Sequence, residues 1–299
     1  MNGILNIYKE AGFTSHDVVA KLRGILKQKK IGHTGTLDPD AEGVLPVCVG
    51  NATKLCGLLT EKEKTYEAVL LLGRETDTQD ISGKVLRTAE VNADSETVRK
   101  ALESFRGSYD QVPPMYSALK VNGRKLYELA REGKEVERKA RTVFLREISI
   151  SRIQLPQVYF TVTCSSGTYI RTLCRDIGEK LGCGGCMESL RRTRVDRFDI
   201  EDSLRLAQVE KKMAEGQIGD CLIPVDRMFE KYSKVQMKAE GDRFVYNGNS
   251  FAGNLTCSDG KKEISEGEQV RVYDSKGSFT GLYRYERGIF RPVKMFLGS

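Results

Sequence analysis

The chain has 299 residues, of which 39% are hydrophobic and 30% are charged, and its formal net charge is +7. This is an ordinary globular mixture, sufficient for one large domain or two. No run approaches the roughly 18 apolar residues of a membrane span, and the N-terminus lacks the pattern of a signal peptide. We therefore expect a cytoplasmic protein. The positive charge suits a polyanion such as RNA, although many mildly basic proteins bind none.

The candidates for a metal or redox site are eight cysteines and two histidines. Only Cys183 and Cys186 form a C-x-x-C pair. A zinc site would want a second pair or nearby histidines, and His16 and His33 are far away in sequence. We interpret the cysteines as reduced structural thiols and keep a metal or redox site at the C-x-x-C pair as the less favoured alternative.

Helices and strands alternate irregularly over the first 230 residues. Apolar residues at helical spacing after Thr14, a plausible N-cap, predict a helix at 14–27. Glycine-rich sequence from 32 to 50 predicts a loop with short strands. The other predicted elements are strands at 65–72, 143–153 and 158–164, and helices at 94–105, 170–181 and 204–213. Because these elements follow no regular βαβ order, the predicted fold class is α+β.

The sequence changes character near residues 224–231. Short alternating runs at 244–246, 270–273 and 282–285 are separated by glycine and asparagine. They predict hairpins and a small β-barrel. We therefore divide the chain into a first domain at 1–230 and a second domain at 231–299.

One loop segment, residues 32–39, reads Gly-His-Thr-Gly-Thr-Leu-Asp-Pro. Its glycines allow a sharp bend, and Pro39 biases Asp38 toward an extended conformation. A carboxylate is thereby presented on a stiff loop beside an imidazole and two hydroxyls. On these grounds alone, an Asx turn started by Asp38 is the favoured interpretation.

The same segment resembles the signature of the TruB family of pseudouridine synthases, in which GHTGxLDP precedes GVLPxxxG. Further blocks of the family pattern follow in order: KxY at 64–66, TDTxDxxG at 76–83, PxxSAxK at 114–120, GTYIR at 167–171 and LRRT at 190–193. The chain departs from the pattern at Glu10, where the family has proline, and at Glu42, where a small residue is usual. The Cys183–Cys186 pair is also atypical.

The resemblance implies the pseudouridine synthase fold, with a mixed and largely antiparallel sheet, and a C-terminal PUA-like RNA-binding domain. It implies isomerisation of uridine without a cofactor or a catalytic metal. Asp38 would be essential, either as a nucleophile or as a base that abstracts a ribose proton, and both routes need an ionised carboxylate. Arg171 would pair with Asp38 and lower its pKa. Tyr66 would stack on the uracil. The simpler interpretations are that Arg171 is a surface arginine at the start of a helix and that Tyr66 is a core tyrosine of a strand.

Further residues would bind the RNA by the same resemblance. His33 would fill the stacking position left by the flipped uridine. Tyr169 and Leu190 would line the base pocket, and Asp77 would orient nearby groups. Each also has an ordinary structural interpretation: a loop histidine, two core residues and a turn aspartate.

An insertion at about 112–142, which includes Lys120, is dense in charge and would clamp the RNA loop; its simpler interpretation is a solvated mixed-charge helix.

One branch of the family modifies position 55 in the T-loop of tRNA as a stand-alone enzyme, and another works with guide RNA and partner proteins. The compact length favours the first. We therefore expect the T-arm stem-loop of tRNA as partner, no guide RNA and a monomer. A tRNA-folding chaperone is the alternative.

Overall fold

The structure is a computed structural model that describes residues 1–257 and 264–297. Within these residues the helices are α1 (Ser15–Ile25), α2 (Cys56–Thr60), α3 (Ser95–Glu103), α4 (Leu126–Arg131), α5 (Ile170–Lys180), α6 (Leu206–Ala214) and α7 (Asp242–Tyr246). The strands are β1 (Gly3–Lys9), β2 (Ile31–His33), β3 (Glu42–Val49), β4 (Lys64–Leu72), β5 (Arg74–Thr76), β6 (Val85–Thr88), β7 (Gly107–Gln111), β8 (Lys120–Val121), β9 (Arg124–Lys125), β10 (Arg141–Gln154), β11 (Gln157–Cys164), β12 (Gly185–Val195), β13 (Phe198–Asp199), β14 (Ser233–Gln236), β15 (Phe251–Ala252), β16 (Gln269–Tyr273), β17 (Phe279–Glu286) and β18 (Ile289–Met295).

A nine-stranded sheet forms the larger part of the described chain. Its order is β1-β3-β12-β4-β11-β10-β7, with β2 beside β3 and β13 beside β12. Only β12 and β3 run parallel; the other neighbours are antiparallel. The prediction of an α+β fold with a mixed, largely antiparallel sheet is confirmed.

Periodicity explains how the central strand β4 divides its residues between two faces. Tyr66 and Ala68 point into the core, where they share a hydrophobic cluster with Leu173 and Ile177 of α5. Helix α1 packs against β1 and β3 through its own apolar stripe. It begins as predicted, because Thr14 accepts a hydrogen bond from the Asp17 N–H at 3.1 Å.

Two local interpretations are wrong and one needs refinement. The run at 244–246 lies in α7 and is not a strand, because three residues are too few to distinguish the two periodicities. The loop with short strands predicted at 32–50 is present, but its second strand, β3, has eight residues, is buried on both faces and shows no alternation. The charged insertion forms the six-residue helix α4, the β8-β9 hairpin and the first residues of β10, so a mixed-charge helix along this described segment is not found.

The C-terminal sheet has the order β14-β16-β17-β18-β15 and curls into a half-barrel. It has a hydrophobic core of its own. A second cluster joins it to the first sheet, since Phe296 packs with Phe229 and Ile4. The side-chain amide of Asn51 also donates to the carbonyls of Phe296 and Leu297, at 3.2 and 2.6 Å. The division of the chain at residue 230 stays a prediction.

No helix in the described part of the chain is long and apolar enough to cross a membrane.

Candidate active site

The structure brings Asp38 and Arg171 together although 133 positions separate them in the sequence. Asp38 lies in the loop between β2 and β3, and Arg171 lies in the first turn of α5. Arg171 Nε is 2.9 Å from Asp38 Oδ2, and Arg171 Nη2 donates to Asp38 Oδ1 at 3.1 Å. Both carboxylate oxygens therefore face one guanidinium. This is a bidentate ion pair, and not the Asx turn that local sequence favoured.

Arg171 also fixes the other loops around the pair. Its Nη2 donates to the Tyr116 carbonyl at 2.8 Å and its Nη1 to the Thr78 carbonyl at 3.1 Å. Asp80 Oδ2 lies 3.9 Å from Nη1 and adds a second carboxylate. The Arg171 side chain is only 7% exposed, whereas that of Asp38 is 36% exposed. The arginine is thus a buried anchor, and the aspartate remains open to a ligand.

The end of β1 and the start of α1 hold the Asp38 loop in place. Lys9 is fully buried, and its ammonium donates to the carbonyls of Pro39 at 2.9 Å and Ala41 at 2.5 Å. Burial lowers the pKa of Lys9 to about 8. On the other side, Ser15 Oγ accepts the Leu37 N–H at 2.9 Å. These bonds fix the backbone immediately before and after Asp38.

The pKa of Asp38 is shifted opposite to the expected direction. Burial raises the pKa of this carboxyl, and the nearby Asp80 adds to the rise. The guanidinium of Arg171 and, more weakly, the ammonium of Lys9 oppose it. Arg171 therefore lowers the pKa of Asp38, as predicted, but the net pKa of Asp38 is raised, because the effect of burial is larger than that of the guanidinium.

Tyr66 lies on the floor of the site and is buried. Burial raises the pKa of its phenol, and the guanidinium of Arg192 on β12 opposes the rise. Tyr66 shares a hydrophobic cluster with Leu37, the residue before Asp38, and with Leu190. Tyr66 and Leu190 thus belong to the same apolar cluster as the loop residue that precedes the carboxylate.

Two further predicted residues flank this centre. Tyr169 is the N-cap of α5, and Gln111 holds it by accepting from its N–H at 2.8 Å and donating to its carbonyl at 3.0 Å. His33 is half-buried at the end of β2, where its Nδ1 accepts the Gly35 N–H at 3.3 Å and burial lowers the pKa of the imidazole.

The structure does not bring Asp77 and Lys120 to the ion pair. Asp77 is exposed, and its carboxylate accepts the Lys84 N–H at 2.8 Å across a turn. Its neighbour Asp80 is the carboxylate of this block that approaches Arg171. Lys120 is exposed on β8. Substrate binding by Asp77 and Lys120 stays a prediction.

The cysteines of the described chain are all free, and Cys183 and Cys186 are buried. Among residues 1–257 and 264–297, no group of three or more His, Cys, Asp or Glu side chains could hold a metal ion. The interpretation of these cysteines as reduced structural thiols stays a prediction.

Lys9, Asp80 and Arg192 are site residues that the sequence did not single out. Each falls in a block of the family pattern, so the pattern indicated the right segments. The sequence could not show which residue of a block would point into the protein. A buried charge is unusual and depends on carbonyl partners supplied by distant segments.

Family models and full-length relatives match nearly the whole chain. A family model described as TruB family pseudouridylate synthase (N terminal domain) matches residues 23–170, and one described as tRNA pseudouridylate synthase B C-terminal domain matches 171–230. A tRNA pseudouridine synthase B of Lachnoclostridium phytofermentans is 56% identical over 99% of this chain and 100% of its own length. One of Bacillus subtilis is 39% identical, over 99% and 98%.

Solved structures agree on the fold. The crystal structure of a Cbf5-Nop10-Gar1 complex matches with a TM-score of 0.71 at 27% identity, covering 99% of this chain and 85% of that chain. The structure of an H/ACA RNP bound to a substrate RNA containing 2'-deoxyuridine matches with a TM-score of 0.70 at 25% identity, with coverages of 99% and 85%. Since the family models and the full-length relatives agree, the chain belongs to the TruB family of pseudouridylate synthases.

Proposed function

We propose that this protein isomerises the uridine at position 55, in the T-loop of tRNA, to pseudouridine, with Asp38 as the essential carboxylate. Full-length relatives named tRNA pseudouridine synthase B support both the reaction and the class of RNA. The position within tRNA and the role of Asp38 are our inference.

The observation that carries the proposal is the bidentate pair of Asp38 and Arg171. A carboxylate that must act as a nucleophile or as a base has to be ionised, oriented and accessible. Arg171 orients both oxygens and favours the ionised form, while the Asp38 side chain keeps 36% of its surface exposed. Few purely structural ion pairs would need a fully anchored arginine beside an open carboxylate.

The remaining residues have roles consistent with a flipped base. Tyr66 stacks on the uracil, with Leu190 and Tyr169 lining its pocket. His33 replaces the base in the RNA stack. A base inside a folded loop has to leave its stack before a protein side chain can reach the ribose carbon, so such a pocket is required.

We further propose that the protein acts as a monomer in the cytoplasm, without guide RNA, and that residues 231–299 form an RNA-binding domain. The structural matches include an H/ACA RNP bound to a substrate RNA and a Cbf5-Nop10-Gar1 complex, so dependence on a guide RNA and partner proteins is a specific alternative. The full-length tRNA pseudouridine synthase B relatives favour the stand-alone enzyme. A chaperone that only binds tRNA would have no use for an anchored, open carboxylate.

The test is an isolated T-arm stem-loop labelled with tritium at C5 of uridine. Forming the C1′–C5 bond releases this hydrogen to water. We expect release by the purified protein alone, and loss of release with Asp38→Asn at nearly unchanged RNA affinity. Asp40→Asn is the matched control, since Asp40 is an exposed aspartate in the same loop. Binding without release by the wild type would contradict the stand-alone enzyme.

A further inference from the structure

The largest fully buried side chain of the described protein belongs to Arg192, which is 1% exposed on β12. Its Nε donates to the Val44 carbonyl at 2.7 Å and its Nη2 to the Gly35 carbonyl at 3.3 Å. Arg192 therefore ties the Asp38 loop, at Gly35, to the strand that follows this loop. Gly43 makes room for the crossing, because a Cβ there would lie 2.1 Å from the Arg192 carbonyl.

The charge of Arg192 has no partner of opposite sign. Across residues 1–257 and 264–297 it forms no ion pair, and its buried Nη1 has no hydrogen-bond acceptor among the protein atoms. Two other buried cations, Lys64 and Lys9, lie near enough for their pKa values to be lowered in part by Arg192. Both of these amines bond carbonyls. A buried guanidinium without a counter-charge is costly, which points to a role beyond packing.

The position of this charge relative to the site supplies a reason. Arg192 is the cross-strand partner of Tyr66 in the antiparallel β12–β4 pair, and its guanidinium opposes the rise in the pKa of the Tyr66 phenol. It reaches the Asp38 loop through Gly35. The cation thus lies across the strand pair from Tyr66 and is bonded to the loop that carries Asp38. Its link to the uridine rests on the proposed function above.

A cation at this place would favour the chemistry of the step. When the C1′–N1 bond breaks, the electron pair stays on N1 and the uracil carries a negative charge shared with its carbonyl oxygens. C1′ is left electron-poor, and the base uses an electron pair at C5 to form the new bond to it. The proton on C5 is lost to solvent and N1 takes up a proton, so the product is neutral. Fixed positive charge in a water-poor site stabilises an anion that develops there without having to reorganise.

We propose that Arg192 is a positioning residue of the isomerisation, which fixes the Asp38 loop and the Tyr66 ring and whose unpaired charge stabilises the uracil anion. It acts through Tyr66 and the loop, since the guanidinium itself is covered. Arg191, its exposed neighbour, pairs with Glu67 on the other face of the strand and takes no part.

The experiment compares Arg192→Gln with the matched control Arg191→Gln in single-turnover conversion of a T-arm stem-loop. Removing one preorganised stabilising group costs an enzyme about 100-fold in rate, which is the loss we expect for Arg192→Gln. RNA affinity should stay within about threefold, because Arg192 does not reach the surface. Arg191→Gln should convert the RNA at nearly the wild-type rate.

A second substrate separates the electrostatic role from a structural one. Fluorine at C5 makes N1 of the uracil more acidic, so the departing anion needs less stabilisation. 5-Fluorouridine has no proton at C5 to lose, so both substrates are followed by the disappearance of the N-glycoside, which reports cleavage of the C1′–N1 bond. Measured in this way, the loss for Arg192→Gln should shrink to about tenfold or less with 5-fluorouridine at the target position. An equal loss with both substrates would show that Arg192 only maintains the fold and would overturn the proposal.

Arg192→Lys keeps the inference testable if the glutamine variant does not fold. Lysine retains the charge and loses the planar fork. We expect it to stay within about tenfold of the wild type. A loss of about 100-fold that is equal for both substrates would overturn the proposal. An inactive wild type would instead overturn the proposed function itself, whereas an active wild type with an unimpaired Arg192→Gln would overturn only this inference.

Discussion

Replacing Arg171 by methionine should move the acid limit of catalysis to higher pH. The substitution removes two charge-assisted contacts to Asp38, at 2.9 and 3.1 Å. Stripping one partner from a buried ion pair costs about 3–5 kcal/mol. The Asp38 side chain is 36% exposed, so solvent screens part of the interaction with Arg171. We therefore expect the substitution to destabilise the ionised form of Asp38, relative to its protonated form, by roughly 2 kcal/mol.

At about 1.4 kcal/mol per pKa unit, this raises the pKa of Asp38 by about 1.5 units. Burial already raises that pKa above its usual value, and the protonated carboxyl is inactive in either mechanism. The rate should therefore begin to fall at a pH about 1.5 units higher than in the wild type. Single-turnover tritium release from pH 4.5 to 8.5 measures the limit.

The matched control is Arg175→Met, one turn further along α5, where the arginine pairs with Asp176. It should leave the acid limit unchanged. Arg171→Lys keeps a charge near Asp38, so its shift should be smaller than that of the methionine variant. An acid limit that is the same in Arg171→Met and the wild type would refute the proposed electrostatic role of Arg171.

Three further predictions concern the loop and the RNA. Lys9→Met leaves buried carbonyls of the Asp38 loop unpaired, at about 1–3 kcal/mol. Folding lowers the pKa of Lys9 from 10.5 to about 8, so between these pH values the unfolded wild type binds more protons than the folded wild type. The wild type therefore gains stability as the pH rises through this window, and the loss in free energy of unfolding caused by Lys9→Met should grow with it. Urea titrations at several pH values measure this loss. Gly43→Ala should destabilise by several kcal/mol, about 3 or more, because its Cβ would overlap the Arg192 carbonyl. Lys120→Gln should flatten the dependence of log Kd on log salt by about 0.7–0.9, the value of one phosphate contact.

Two of these predictions have a control variant in the same chain. Gly12 also has a positive φ, but a Cβ there would meet nothing within 4 Å, so Gly12→Ala should lose only about 1 kcal/mol for backbone strain. Equal losses at the two glycines would contradict the close crossing at Gly43. Lys100→Gln, on α3 and paired with Glu96, should leave the salt slope unchanged. A Lys9→Met cost that is independent of pH would rule out the shifted pKa.

Long elements with a clear period could be predicted from the sequence. The strand β11 alternates through Val158, Phe160 and Val162, and helix α5 presents Leu173 and Ile177 on one stripe, so both were placed to within a residue or two. The strand β3 has no alternation, since neighbours cover both of its faces. The three residues at 244–246 carry too little pattern to distinguish a helical turn from a strand.

The sequence could predict which segments form the site, but it could not predict how their side chains are arranged. Local physics at Asp38 favoured an Asx turn, because its partner Arg171 is brought in by the order of β3, β12 and β4 in the sheet. The balance between burial and ion pairing at Asp38 depends on coordinates. The burial of Lys9 and Arg192 depends equally on carbonyls from distant loops, which no local pattern reveals.

The measurement that tests the central claim most directly is tritium release from the C5-labelled T-arm stem-loop by the wild type, Asp38→Asn and Asp40→Asn, with RNA affinity measured alongside. We predict release by the wild type and by Asp40→Asn, none above background by Asp38→Asn, and closely similar affinities for all three. Release by Asp38→Asn at close to the wild-type rate would contradict the assignment of Asp38 as the essential carboxylate.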